Sequence, residues 1–241
     1  MTKLTTVITT IQQPTQCVRN LHDRLMQDDS NLIIVGDKIG PAAYPIDNAN
    51  NFECGGKLQF LSFQQQVESG YTTAKDLPSG HYARKNLGYL TAIEDGTECI
   101  YETDDDNGPN QHWHPRSRRV KASQVDQKGW MNVYSLFSKE RIWPRGFPLE
   151  NLSPVQQCDN ADLEIQPPTF VDAPIQQGLA DLSPDVDAVW RLTLDREIIF
   201  DRNASIQLAP GTWCPFNSQS TWFWPVAFPL LYLPSYCSFR M

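Results

Sequence analysis

Three consecutive carboxylates, Asp104, Asp105 and Asp106, close an apolar run through Cys99, Ile100 and Tyr101 and are followed by Asn107, Gly108 and Pro109. Adjacent aspartates repel one another, and a hard divalent cation among their oxygens offsets that repulsion. Side chains alternate along extended backbone, so Asp104 and Asp106 face the same way and are the candidate ligands of one ion, with Asp105 supporting them. Mg2+ and Mn2+ commonly take one or two protein carboxylates and complete their shells with water and phosphate oxygens. The spacing therefore suggests a metal held together with a diphosphate. Taken alone, three aspartates read equally well as a solvated acidic turn. Two neighbours favour a site: the strand that runs into the triplet, and Arg84, Lys85 and Asn86 on the segment before it. Open α/β sheets place ligands at the carboxyl ends of their strands.

Other elements must carry this turn. Ser79 is placed to cap a helix in which Ala83, Leu87 and Leu90 recur at helical spacing and Gly96 marks the end, and a strand over Glu98 to Thr103 follows. Near the start, Thr5 to Thr10 reads as a strand. Pro14 and Thr15 open a helix with an apolar stripe of Val18, Leu21 and Leu25, and Leu32 to Val35 reads as a strand ending at Gly36, Asp37 and Lys38. This β-α-β opening predicts a parallel sheet with a right-handed crossover, and brings Thr9 and Thr10 together with Gly36, Asp37 and Lys38 at neighbouring strand ends. As a local motif, Gly-Asp-Lys reads first as a turn. Residues 39 to 57 read as a loop, Leu58 to Phe63 as a further strand, and Val133 to Phe137 as another.

The run from His81 to Asn107 resembles the glycosyltransferase domain of STELLO-type proteins and, more distantly, other metal-dependent nucleotide-sugar transferases of the GT-A fold. The likeness extends to TVITT at Thr6 to Thr10, LIIVGDK at Leu32 to Lys38, ARKNLGY at Ala83 to Tyr89, ETDDDN at Glu102 to Asn107 and WPRGFPL at Trp143 to Leu149. It continues through DVDAVWRLT at Asp185 to Thr193, PFNSQST at Pro215 to Thr221 and YLPSYCSFRM at Tyr232 to Met241, beyond which the family pattern goes on. The resemblance implies a GT-A-like, Rossmann-like α/β domain over residues 1–241, with a mainly parallel central sheet flanked by helices. Residues 1–110 would be the nucleotide-sugar and metal-binding half and residues 111–241 the acceptor-side half. It implies Mn2+ or Mg2+ on Asp104 and Asp106, a UDP- or GDP-sugar as donor, and donor contacts from Thr9, Thr10, Gly36, Asp37, Lys38, Arg84, Asn86 and Asp105. Arginine offers a fork of hydrogen bonds to phosphate, and asparagine can read a base.

On the acceptor side, Asp185 to Leu192 reads as leading into a strand. An inverting transfer needs a carboxylate to take the acceptor proton. Asp187 is the first candidate and Asp185 the second, with a turn cap as the equal alternative for either. Arg145 could contact a phosphate or the acceptor. Asn217 lies in a polar loop before Trp222, Phe223 and Trp224, whose rings could stack on sugar faces or pack the core. His112 and His114 receive no catalytic role.

A net charge of −8 and a pI near 4.9 argue against a nonspecific nucleic-acid binder. The six cysteines, 17, 54, 99, 158, 214 and 237, are scattered and read as reduced thiols, which weakly suggests the cytosol. No signal peptide is visible, and Trp222 to Pro234 is too short and too interrupted by proline to span a membrane. The expected setting is cytoplasmic or a soluble domain, or the Golgi lumen if the parent protein is membrane-tethered, as the resemblance to plant STELLO proteins implies. The expected activity is transfer of a sugar to a carbohydrate or protein acceptor that the residues do not identify. The alternatives are a nucleotide-sugar mutase or self-glycosylating protein, and a catalytically weak binding or assembly protein of a polysaccharide-synthesis system.

Overall fold

The computed structural model describes residues 3–46, 55–152, 163–202 and 204–237. The chain runs through β1 (Leu4–Thr9), α1 (Gln16–Gln27), β2 (Asn31–Val35), β3 (Leu58–Leu61), α2 (Phe63–Glu68), α3 (Lys85–Glu94) and β4 (Cys99–Thr103). It continues through β5 (Arg119–Val125), β6 (Gly129–Trp130), β7 (Thr169–Asp172), β8 (Ile175–Gln177), α4 (Ala188–Thr193), β9 (Ile206–Leu208), β10 (Thr212–Trp213) and β11 (Ser220–Phe223). Two compact units result: Met1–Arg116 with Pro174–Gln176 and Ser218–Met241, and Ser117–Ala173 with Gln177–Asn217.

The first unit is built on one sheet in the order β3-β2-β1-β4-β11-β8. β3, β2, β1 and β4 are mutually parallel, and β11 runs antiparallel to β4. Alternation along the strands sorts the side chains into two layers. Leu4, Ile8, Leu32, Ile34, Cys99 and Tyr101 pack with Val18, Leu21 and Leu25 of α1. Val7, Ile33, Val35 and Ile100 pack with Tyr89 and Ala92 of α3 on the opposite face. A strand buried on both faces is apolar at every position, which is why Leu32 to Val35 reads as a continuous run. Gly88 lets α3 lie close to the sheet, because a Cβ there would meet Val7 Cγ1 at 2.6 Å and Val35 Cγ2 at 2.7 Å. This is the α/β, GT-A-like arrangement that the sequence predicts.

The start of the central helix differs from expectation. Ser79 is not its cap. A 3-10 turn over Tyr82–Arg84 comes first, with the His81 ring accepting the Ala83 amide at 3.0 Å, and α3 begins only at Lys85. An imidazole nitrogen here does what a hydroxyl does at an ordinary cap. Gly96 ends the helix as predicted, at φ +71°.

In the second unit, β5 pairs antiparallel with β7 and parallel with β9, and β6 pairs parallel with β10. Its core gathers Tyr134, Ile142, Trp143, Phe147, Val186, Trp190, Ile198 and Phe200. Two expected strands are absent here. Val133–Leu136 is a 3-10 helix, and the stretch after Asp187 is the helix α4. Local capping explains the second correction: the Asp187 side chain accepts the Trp190 amide, and within the helix Trp190 alone is buried while Val189 and Leu192 are exposed, which is not the alternation of a half-buried strand.

No helix among the described residues is long and apolar enough to cross a membrane. The four described cysteines, Cys17, Cys99, Cys214 and Cys237, are free thiols, and Cys54 and Cys158 lie outside the described residues.

Candidate active site

β4 carries Glu102 and Thr103 buried and then releases Asp104 half-buried and Asp106 exposed at the carboxyl end of the parallel sheet. Beneath the turn lies Lys85, fully buried. Its ammonium donates to the Thr103 carbonyl at 2.8 Å and to the Tyr82 hydroxyl, and lies 3.2 Å from Asp104 Oδ1 and 3.4 Å from Glu102 Oε1. The Tyr82 hydroxyl donates to Asp104 Oδ1 at 2.8 Å, contacts Ser218 Oγ at 3.0 Å, and its ring lies 4.4 Å from the Lys85 nitrogen. One oxygen of Asp104 is therefore held by two donors. Oδ2 has no partner among the described residues.

The electrostatics follow from this packing. Burial alone would pull the Lys85 ammonium down, but Tyr82, Asp104 and Glu102 outweigh it and hold it above its ordinary value. Burial pushes the Glu102 carboxyl up. The Asp106 carboxyl is also raised, first by desolvation and then by the charges of Asp104 and Asp105. One buried ammonium faces more carboxylates than it can neutralise.

The remaining donor-side candidates sort into three groups. Thr10 and Asp105 meet directly: Thr10 Oγ1 donates to Asp105 Oδ2 at 2.5 Å, and Thr15 Oγ1 donates to the Asp105 carbonyl at 2.6 Å. Gly36 and Asp37 form the end of β2. A Cβ on Gly36 would come within 2.8 Å of the Phe60 ring, and the buried Asp37 carboxylate accepts the Lys38 amide at 2.6 Å and the Gly80 amide at 2.8 Å. Lys38 is exposed and Thr9 is half-buried. Arg84 and Asn86, by contrast, are engaged within the fold. Arg84, expected as a donor contact, has its side chain buried, donating to Gln66 Oε1 at 2.7 Å and the Leu77 carbonyl at 2.9 Å, with Phe63 stacked at 4.5 Å. Asn86 pairs with the backbone of Leu233 through both ends of its amide, at 2.9 and 2.7 Å.

The acceptor-side candidates belong to the second unit. Arg145 Nε lies 2.7 Å from Asp185 Oδ1, and the Arg145 amide donates to the Asp185 carbonyl. Tyr134 donates to that same carbonyl at 3.1 Å. Burial raises the Tyr134 phenol, Asp185 and Cys214 add to the rise, and Arg145 and the Asn217 amide oppose it, so Arg145, Asp185 and Asn217 share one neighbourhood around this ring. Asp187 is a helix cap: Oδ1 accepts the Trp190 amide at 2.8 Å and Oδ2 accepts the Trp143 indole at 2.5 Å. Trp222, Phe223 and Trp224, read either as sugar-stacking rings or as core, are buried in the first unit's core, where Trp222 stacks on Tyr101 with centroids 4.2 Å apart.

No protein-family model matches the chain. Two proteins of Arabidopsis thaliana do. It is 31% identical over 216 residues to the "Probable glycosyltransferase STELLO1", an alignment covering 81% of this chain, and 30% identical over 195 residues to the "Probable glycosyltransferase STELLO2", covering 73%. The chain belongs to the STELLO-like family. It spans about a quarter of the length of these relatives, 27% and 25%.

In this STELLO-like chain, the oxygens open to a cation are Asp104 Oδ2 and the Asp106 carboxylate. Among the described residues no group of three or more His, Cys, Asp or Glu forms a ligand cluster. The donor set nonetheless fits Mg2+ or Mn2+, which are hard ions content with one or two carboxylates. Sequence reasoning named Lys85 only as a neighbour of the triplet and passed over Tyr82 and Tyr134. Lys85 and Tyr82 were three residues apart in a segment leading to a triplet of aspartates, a spacing that sets both on one side of a helical turn. Nothing local marked Tyr134.

Proposed function

We propose that this chain is the donor-binding and catalytic part of a metal-dependent glycosyltransferase that takes a sugar from a nucleotide-diphosphate donor. The observation that carries the reading is the acidic turn at the carboxyl end of β4, only partly neutralised by Lys85. Such strand ends are where open α/β sheets take their ligands, and the family's named members support the reaction class. Asp104, through Oδ2, and Asp106 hold Mn2+ or Mg2+, which when bound stabilises charge on the departing diphosphate. Lys85 and Tyr82 keep the other Asp104 oxygen in place. Gly36 and Asp37 shape the nucleotide loop, Thr9 borders it, and Lys38 offers an exposed ammonium to phosphate. Arg84 and Asn86 act indirectly, fixing the start of α3. Arg145 and Asn217 receive the acceptor, and Asp185 or Asp187 takes its proton. Each already carries partners: both oxygens of Asp187 accept N–H donors, and Asp185 pairs with Arg145.

A panel of UDP- and GDP-sugars titrated calorimetrically with and without Mn2+, against the native chain and an Asp104→Ala/Asp106→Ala variant, tests the donor site. Metal-dependent binding confined to the native chain is the expected result. Equal binding by both proteins would move the site elsewhere. Donor hydrolysis or transfer in Mn2+ then separates enzyme from binder. The second reading, a binding or assembly protein, draws on the capped state of Asp187 and is favoured if donor binds without turnover.

A further inference from the structure

The middle aspartate stands apart from its neighbours. In the sheet order β3-β2-β1-β4, the chain leaves β1 for β2 on one side, while β4 lies on the other. The loops that follow β1 and β4 therefore start side by side at the carboxyl ends of adjacent parallel strands, where open α/β sheets take their ligands. Asp105 ties the two together. Its carboxylate takes the Thr10 hydroxyl, its carbonyl takes the Thr15 hydroxyl, and Thr15 in turn accepts the Val18 amide at 3.2 Å as the cap of α1. Thr10 is buried, and its amide donates to the Val35 carbonyl of β2 at 3.0 Å. The chain of bonds thus runs from the end of β2 through the end of β1 to the acidic turn, and separately from that turn to the start of α1.

We propose that Asp105 is a positioning residue and not a ligand: it clasps the loop after β1 to the acidic turn, so that the nucleotide-binding loop and the metal-binding carboxylates keep one fixed spacing. The three aspartates then have distinct tasks. Asp104 is anchored from below by Lys85 and Tyr82, Asp106 is open to solvent, and Asp105 has one oxygen committed to Thr10. A carboxylate whose work is to accept one hydroxyl is replaceable by the asparagine amide, which keeps an acceptor oxygen in the same place. A metal-binding carboxylate is not. The consequence for nucleotide binding rests on the proposed function above, but the clasp itself does not.

The experiment uses the whole chain and five variants: Asp105→Asn, Asp105→Ala, Thr10→Val, the double variant Thr10→Val/Asp105→Ala, and Asp104→Asn for the metal titration. Melting temperatures in chelator, without metal or nucleotide, give a double-mutant cycle. The clasp predicts that Thr10→Val and Asp105→Ala each lower the melting temperature, that the double variant is no worse than the poorer single one, and that Asp105→Asn stays near the native value. Additive losses would overturn it. Mn2+ titration supplies the second arm. Asp105→Asn should weaken Mn2+ binding by roughly threefold, the share of one screened charge near the ion, whereas Asp104→Asn should weaken it by about tenfold or more. An Asp105→Asn loss equal to that of Asp104→Asn would make Asp105 a ligand and overturn the proposal. A native chain that binds no Mn2+ would sink the functional reading and leave the cycle to decide the clasp.

Discussion

Two stretches of this chain spell aspartate, any residue, aspartate: Asp104 to Asp106 and Asp185 to Asp187. By spacing they are equivalent, and their surroundings separate them. In the first, the cation beneath the turn is a buried lysine shared with Glu102, one Asp104 oxygen is held, and Asp106 faces solvent. In the second, Asp187 is filled by two N–H donors and Asp185 is paired with an exposed arginine. A carboxylate whose lone pairs are already used organises structure. One left partly unneutralised at a strand end is free to do chemistry.

The largest effect should come from removing the cation under the first stretch. Lys85→Met leaves Glu102 and Asp104 facing each other with no ammonium between them, and breaking a buried ion pair from one side costs about 3–5 kcal/mol. Urea unfolding should show a loss of that order, and Lys85→Met/Glu102→Gln should recover part of it. A loss near zero would mean that the web contributes nothing to the difference between the stretches.

The second stretch should fail in its own way. Asp187→Ala removes the α4 cap, at about 0.5–2 kcal/mol, and leaves the indole of the buried Trp143 without its acceptor, at about 1–3 kcal/mol. Asp187→Asn keeps an acceptor oxygen for the Trp190 amide and should lose much less. If Asp187→Asn is as stable as expected and transfer activity survives, Asp187 is a cap and Asp185 inherits the proton-accepting role. If activity vanishes with stability intact, the distinction between the stretches narrows to one of degree.

The contrast also marks how far the sequence could be read. The β-α-β opening, the double-sided burial of Leu32 to Val35 and the end of α3 at Gly96 were legible because each depends on local chemistry: alternation, an apolar run, a positive φ. The triplet was legible for the same reason. The status of each candidate was not, because it is set by partners far along the chain. Asn86 is used by Leu233, 147 residues away, Arg84 is used by Gln66, 18 residues away, and Tyr82 finds Ser218, 136 residues away. A run of Asp-Val-Asp-Ala-Val-Trp carries valines fit for a strand and an aspartate fit for a cap, and the Asp187 side chain that accepts the Trp190 amide sets the helix.

A smaller effect tests the exposed partner in the second stretch. The Arg145 side chain is 61% exposed beside an Asp185 that is 19% exposed, so the pair is only partly withdrawn from solvent. Arg145→Ala should cost no more than about 1 kcal/mol, and the loss should shrink in high salt. If denaturation shows several kcal/mol instead, the Asp185 pair is as internal as the Lys85 web and the two stretches are closer than their exposures imply.

The smallest expected change carries the opposite sign. Asp106 is exposed, its donors are local, with the Asn107 side chain at 3.1 Å, and its proton is held more tightly than usual by desolvation and by Asp104 and Asp105. A carboxyl raised in the folded state binds more protons folded than unfolded, so its contribution to stability falls as pH rises through the range above the ordinary aspartate value. In chelator-treated protein near neutral pH, Asp106→Asn should therefore be as stable as the native chain or more so by about 0.3–0.5 kcal/mol, the size of a relieved surface repulsion. The gain should disappear as pH is lowered and the native carboxyl is protonated. Added Mn2+ should reverse the order, stabilising the native chain and leaving the variant unmoved, because a ligand shifts stability only in the protein that binds it. A residue that costs stability when empty and returns it with a cation is held for its chemistry. If Asp106→Asn is destabilised in chelator and indifferent to Mn2+, the carboxylate is there for the fold, and the first stretch is no more a metal site than the second.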